Sequence, residues 1–441
     1  MTTPTPVRAD QPRPRLPLPP FDNSAADTVL RSSDGILLHV HSVIVAEASE
    51  VFAGMYSIPQ PPRLLSVGRS GGLDQDRTVD GGGAPVVQLA EDGLTLDRLL
   101  RLCYPIADPE FKDPAEIRPV LAAAIKYEMN EAVSLTKKAL LSYIPTRPLE
   151  VWAVACSLQL EDETLEAARA LASGPVYFTS TALEALREVS VGQYWRLMKF
   201  ICRGGNAGTG FSFWHPEPED APQDSRLVGS RTYSTIEFVD RPFADIICRS
   251  FDGQDFRSHK AILITVSPVL RERILALEAK RSGSGTNTNG SDNIPVLQFH
   301  NPATELSALL ELSYPVRRNS CFDVILPLHR VCALMKAAKT YAMDFVLKVL
   351  EPSFHAEAYA SPLKAYLLAK HMGLAEYARE MEPTVLRREP HLYGWFPEME
   401  TIRAPAFYEL VMKHHAHSAL GSDIFAALHR LEGSDADSQD L

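Results

Sequence analysis

The stretch ADTVLRSSDGILLHVHSVIV at 26–45 returns at 244–263 as ADIICRSFDGQDFRSHKAIL, and this internal repeat constrains the fold more than any other feature of the chain. Aligned without a gap, Ala26, Asp27, Arg31, Ser32, Asp34, Gly35, His41 and Ile44 recur as Ala244, Asp245, Arg249, Ser250, Asp252, Gly253, His259 and Ile262. Later segments follow in the same order: LLRLCYPI at 99–106 and LLELSYPV at 309–316, AAIKYEMN at 123–130 and AAKTYAMD at 337–344, PLEVWAVACSLQL at 148–160 and PLKAYLLAKHMGL at 362–374. Such ordered recurrence predicts two similar units, each with its own core.

Each copy opens with β-branched and apolar residues, Thr28 to Arg31 or Ile246 to Arg249, and an Asp-Gly pair then reverses the chain, so a hairpin is expected. A helix is predicted from near His41 or His259, with Ser258 as the N-cap in the second copy, and another after Ser49 or Ser267, whose hydroxyls suit capping. A third strand follows at VVQLA or IPVLQF, then an apolar helix that must stop before Pro105 or Pro315. Two further helices break near Tyr127-Glu128-Met129 or Tyr341-Ala342-Met343, where Asn130 and Asp344 are candidate caps. A few strands followed by many helices make an α+β unit, a small sheet covered by a helical cluster.

The order of residues in the second copy resembles the opening of the BTB/POZ family: Ala244 and Asp245 before an apolar strand, the Asp252-Gly253 turn, then His259, Lys260 and Ala261 at the first helix, and Ser267-Pro268 before the next. LLELSYPV and AAKTYAMD are similar to the family's later helices, and the looser first copy carries a longer insert. The resemblance implies a tandem protein: a disordered Pro-rich tail at 1–20, BTB-like repeats at 21–145 and 231–352, helical extensions at 146–202 and 353–430, a linker at 203–230 and an acidic tail at 431–441. It also implies a charged pocket near a pairing surface, formed by Asp245, His259 and Lys260, with Asp27 and His41 in the first copy. If Asp245 and Lys260 were a buried ion pair, Lys260→Ala would cost about 3–5 kcal/mol. Ser42 stands in place of Lys260 in the first copy, so a buried Asp27 would need other donors or a proton.

Composition narrows the functions. The formal net charge of −11 argues against a protein that mainly neutralises phosphates, so no direct nucleic-acid contact is expected. Six scattered cysteines with no CxxC pair suggest reduced thiols rather than disulfides or zinc. No 18-residue apolar run or signal-type segment occurs, so the reading is an intracellular protein of cytoplasm or nucleus, without membrane association. GGNAGTG lacks the Lys-Ser/Thr of a phosphate loop, MKHHAHS lacks metal-ligand spacing, and no nucleophile elbow appears. The expectation is therefore a non-enzymatic scaffold without cofactor that binds protein partners. The resemblance implies dimerisation, as a homodimer or by repeat-repeat pairing within the chain, and recruitment of a cullin as a ubiquitin ligase adaptor. The alternatives are a nuclear regulator acting through protein partners, and an enzyme hidden in the helical tails.

Overall fold

The computed structural model describes residues 17–23, 25–58, 84–174, 180–206, 208, 210–217, 238–283, 294–314, 326–389 and 392–418. The Pro-rich tail up to 16, residues 59–83 and 284–293, residues 218–230 of the expected linker, Cys321 and the acidic tail lie outside them. The chain divides into two compact units, Met1–Glu188 with Phe200–Asn206, and Val189–Lys199 with Ala207–Leu441.

In the first unit the elements run β1 (Thr28–Arg31), β2 (Leu37–Val40), α1 (Ser42–Ala48), α2 (Glu50–Ser57), β3 (Val86–Gln88), α3 (Gly93–Arg101), α4 (Pro114–Lys126), α5 (Asn130–Leu141), α6 (Pro148–Ser157), α7 (Glu161–Ser173) and α8 (Ser180–Ala185). Helix α9 (Val191–Cys202) precedes the second set. That set runs β4 (Ile246–Arg249), β5 (Asp255–Ser258), α10 (Lys260–Val266), α11 (Pro268–Gly283), β6 (Val296–Gln298), α12 (Ala303–Ser313), α13 (Leu328–Thr340), α14 (Asp344–Ala360), α15 (Pro362–His371), α16 (Ala375–Val385) and α17 (Pro405–Ser418).

The order of elements from β1 to α7 is the order from β4 to α16. Each sheet has three strands, β2-β1-β3 and β5-β4-β6. The outer hairpin strand is antiparallel, Thr28 facing Val40 and Ile246 facing Ser258, while the third strand is parallel, Val29 facing Val86 and Ile247 facing Val296. A parallel neighbour cannot be reached by a tight turn, and α1 with α2, or α10 with α11, lies in the crossover.

The reversing turns put Gly35 and Gly253 at the same φ of 84°, which a side chain resists. The preceding aspartates reach further than a local turn requires. Asp34 accepts from the Gly93 N–H at 2.9 Å and Asp252 from the Ala303 N–H at 2.9 Å, so each turn satisfies an open amide at the start of a distant helix. Ser49 and Ser267 cap α2 and α11, accepting from Phe52 N–H at 3.1 Å and Leu270 N–H at 2.9 Å, and their hydroxyls donate to the carbonyls of Tyr127 and Tyr341.

Three cap expectations are corrected. The N-cap of α10 is His259 rather than Ser258, whose hydroxyl instead meets Tyr314 at 3.0 Å. Asn130 and Asp344 are the first residues inside α5 and α14, and Met129 and Met343 occupy the cap positions without side-chain bonds. The helix breaks there arise from left-handed backbone at Glu128 and Ala342, φ 52° and 51°.

Leu30, Leu38, Val40, Val45, Phe52 and Leu100 pack the first core, and Ile246, Cys248, Leu263, Leu270, Phe299 and Leu309 lie buried in the second. Trp152 of α6 and Tyr194 and Trp195 of α9 are buried.

The boundary expected at 202 differs. Val189–Lys199 groups with the second unit, where the Val191 N–H donates to Ile402 O at 2.8 Å and the Ala404 N–H to Val189 O at 2.9 Å. Arg196, 1% exposed, forms two bonds to Glu400, at 2.6 and 3.0 Å, and a third to the Phe213 carbonyl at 2.8 Å. Phe213 itself is buried, so this part of the expected linker is packed structure.

Candidate protein-interaction surface

The five residues expected at a charged pocket lie where the first strand and first helix of each unit meet. Asp245 accepts the Lys260 backbone N–H at 2.7 Å, and Asp27 accepts the Ser42 N–H at 2.7 Å and the Ser42 hydroxyl. Both carboxylates therefore serve an open amide at a helix N-terminus, where the helix dipole also favours negative charge. Burial works to raise the Asp27 pKa, but the two bonds from Ser42, together with nearby His41, outweigh it and hold the carboxyl below its usual range. Both aspartates are exposed, so Asp27 is not the buried, partnerless carboxylate that the missing lysine suggested.

The expected Asp245–Lys260 ion pair is not the contact formed. The Lys260 ammonium lies 2.8 Å from Glu278 on α11, with side chains 23% and 44% exposed. A backbone amide is held in place by the helix at no cost in side-chain order, so the carboxylate takes that donor and leaves the flexible lysine to another partner.

His259 is tied at three points. Its Nε2 is 3.0 Å from the Pro242 carbonyl, which can only accept, so the proton sits on Nε2 and Nδ1 accepts from the Tyr314 hydroxyl at 3.0 Å. The same hydroxyl accepts the His259 backbone N–H at 3.0 Å. In the first unit Tyr104 plays this part, accepting the His41 N–H at 2.8 Å with the ring nitrogen 3.5 Å away. Each histidine orients a corner of its own unit.

A different feature of the second unit has the form of a docking surface. Ile262, Thr265 and Val266 of α10, Pro268 of α11, Ser313 of α12, Ala342, and Asp344 and Phe345 of α14 line a groove of about 460 Å³. Phe345 is 52% exposed at its edge, and Asp344 is the single carboxylate in the lining. A half-exposed aromatic beside aliphatic walls and one charge is the composition of a protein contact: apolar anchoring with a polar group to set orientation. Among the described residues no group of three His, Cys, Asp or Glu is placed to hold a metal ion, and no helix is long and apolar enough to cross a membrane.

The hairpin with its parallel third strand, the two crossover helices and the helices that line this groove fall within one stretch of chain, and that stretch, residues 238–357, matches the family model of the BTB/POZ domain. Residues 238–357 are a BTB/POZ domain. No curated protein matches the chain. A BTB/POZ domain is a protein–protein interaction module, generally without enzymatic activity, and all eight groove residues lie inside the BTB match.

Reading the sequence singled out the aspartates and histidines of the BTB domain but not the groove or Tyr314. Tyr314 had a signal, because it and Tyr104 hold the same place in LLELSYPV and LLRLCYPI. The groove had a weaker one: Phe345 follows Asp344 at the start of a helix, where the first copy has Glu131. Arg196 and Glu400, 204 residues apart, had none.

Proposed function

We propose that the chain is a tandem BTB scaffold in which residues 21–145 are a diverged second BTB unit and the second unit acts as a cullin-dependent ubiquitin ligase adaptor. Support for the duplication is that long-range hydrogen bonds recur pair by pair. Besides those of Asp34/Asp252, Ser49/Ser267 and Tyr104/Tyr314, the Gln88 amide donates to Ser32 O at 3.1 Å and the Gln298 amide to Ser250 O at 2.8 Å. The Tyr127 hydroxyl donates to Glu91 where the Tyr341 hydroxyl donates to Asn301 at 2.9 Å. Chance similarity of one hairpin would not reproduce bonds between distant segments.

The observation that carries the adaptor reading is the groove ending at Phe345. It suits a partner helix that presents an apolar row and a basic residue for Asp344, the arrangement by which an amphipathic helix docks. The pairing surface in this reading is the Asp245/His259/Lys260 corner, used either between chains or between the two proposed BTB units of one chain, where covalent linkage raises the effective concentration. Titration of the full chain with a purified cullin N-terminal domain tests the adaptor reading: saturable binding at micromolar or tighter affinity supports it, and absence of binding removes it. Light scattering across a dilution series separates the two modes of pairing, because only a pair formed between chains has twice the monomer mass.

A further inference from the structure

Transferring the groove onto the first unit through the repeat correspondence, each block at its own offset, gives a very different surface. Ile262, Thr265, Val266, Pro268, Ser313, Ala342, Asp344 and Phe345 correspond to Ile44, Glu47, Ala48, Glu50, Cys103, Glu128, Asn130 and Glu131. One carboxylate among the eight positions becomes four. Glu47, Glu50, Glu128 and Glu131 are all exposed, and Glu128 holds the left-handed backbone (φ 52°) that Ala342 holds (φ 51°) in the second unit. The left-handed turn has been retained, while Thr265, Pro268, Ala342 and Phe345 have been exchanged for anions among the remaining apolar Ile44, Ala48 and Cys103.

We propose that the chain carries one working copy of this groove rather than two, so that an amphipathic helical partner binds once per chain, at the second unit, and is refused by the first. This rests on the proposed duplication and deepens the adaptor reading. An apolar helix face laid over four carboxylates must strip their water without supplying donors, which opposes association. The same face laid over Ile262, Val266, Pro268 and Phe345 meets carbon and needs to answer only Asp344. A basic residue near the centre of its apolar row answers that charge. Unlike charges at the rim, a single carboxylate beside the apolar anchors sets register as well as attraction.

Two probes separate failure of this inference from failure of the cullin reading: the cullin N-terminal domain, and the neutral apolar dye Nile red, suited to the aliphatic walls of the groove and not to the glutamate face. The full chain is titrated with each, as wild type and as Phe345→Glu, Thr265→Glu and Glu131→Ala. The substituted positions are exposed, and melting curves establish that each variant remains folded. For whichever probe binds, one groove-dependent site per chain is expected, weakened at least about tenfold by Phe345→Glu and by Thr265→Glu and unchanged by Glu131→Ala. Dye binding with this pattern and no cullin binding would retain the single groove and discard the cullin. Two equivalent sites, loss of binding in Glu131→Ala, indifference to both groove variants, or absence of any groove-dependent site for either probe would overturn it.

Discussion

Tyr314 shows how a single hydroxyl can hold a corner of a domain. It accepts the His259 backbone N–H, donates to the imidazole and meets the Ser258 hydroxyl, all at 3.0 Å. Tyr314→Phe leaves those partners partly unsatisfied, and the expected loss is about 1–3 kcal/mol, measured as a shift in the chemical denaturation midpoint of the transition that contains the second unit. Tyr104→Phe is expected to cost less, since its second contact is stretched to 3.5 Å. Lys260 makes the opposite point. Its pair with Glu278 is half in solvent, so Lys260→Ala is expected to cost no more than about 1 kcal/mol, rather than the larger penalty that a buried Asp245–Lys260 pair would bring. The same denaturation experiment distinguishes the two.

At the scale of elements, the decisive contact is that of α9 with the short helical turn at Pro397–Glu400. Burial works to raise the pKa of Glu400, yet bonds from Arg196 and the Trp395 indole, with the charge of Arg196, lower it below the ordinary glutamate value. A lowered folded-state pKa means stability present above the unfolded value, near 4.5, and lost as the pH falls through the folded value. The second unit is expected to weaken on acidification below that point, and Glu400→Gln to flatten this part of the dependence. At neutral pH Glu400→Gln is expected to destabilise by about 3–5 kcal/mol, because Arg196 remains buried with its charge uncompensated. Thermal melts from pH 3 to 7 check both outcomes. The contact also accounts for Gly192, where any Cβ would collide with the Glu400 carboxylate.

For the molecule as a whole, the consequence is that the second unit does not begin where its repeat begins. Tyr194, Trp195, Arg196 and Leu197 are buried, and losing several such side chains exceeds the usual margin of stability. A fragment of residues 203–441 is therefore expected to lack a cooperative melting transition, and one of residues 189–441 to regain it, as followed by near-ultraviolet circular dichroism. What the sequence determined by itself was local and periodic. Strand, Asp-Gly turn, capping serine and helix were legible twice over because each depends on neighbours a few positions away, and the BTB resemblance followed from their order. Tertiary structure alone decided which donor Asp245 accepts, where Lys260 turns, that Arg196 closes on Glu400, and that α10, α11, α12 and α14 meet in one groove. Those outcomes depend on competition among groups distant in the chain. Nothing in residue spacing ranks a fixed backbone amide above a mobile ammonium until the fold has brought both within reach of the same carboxylate.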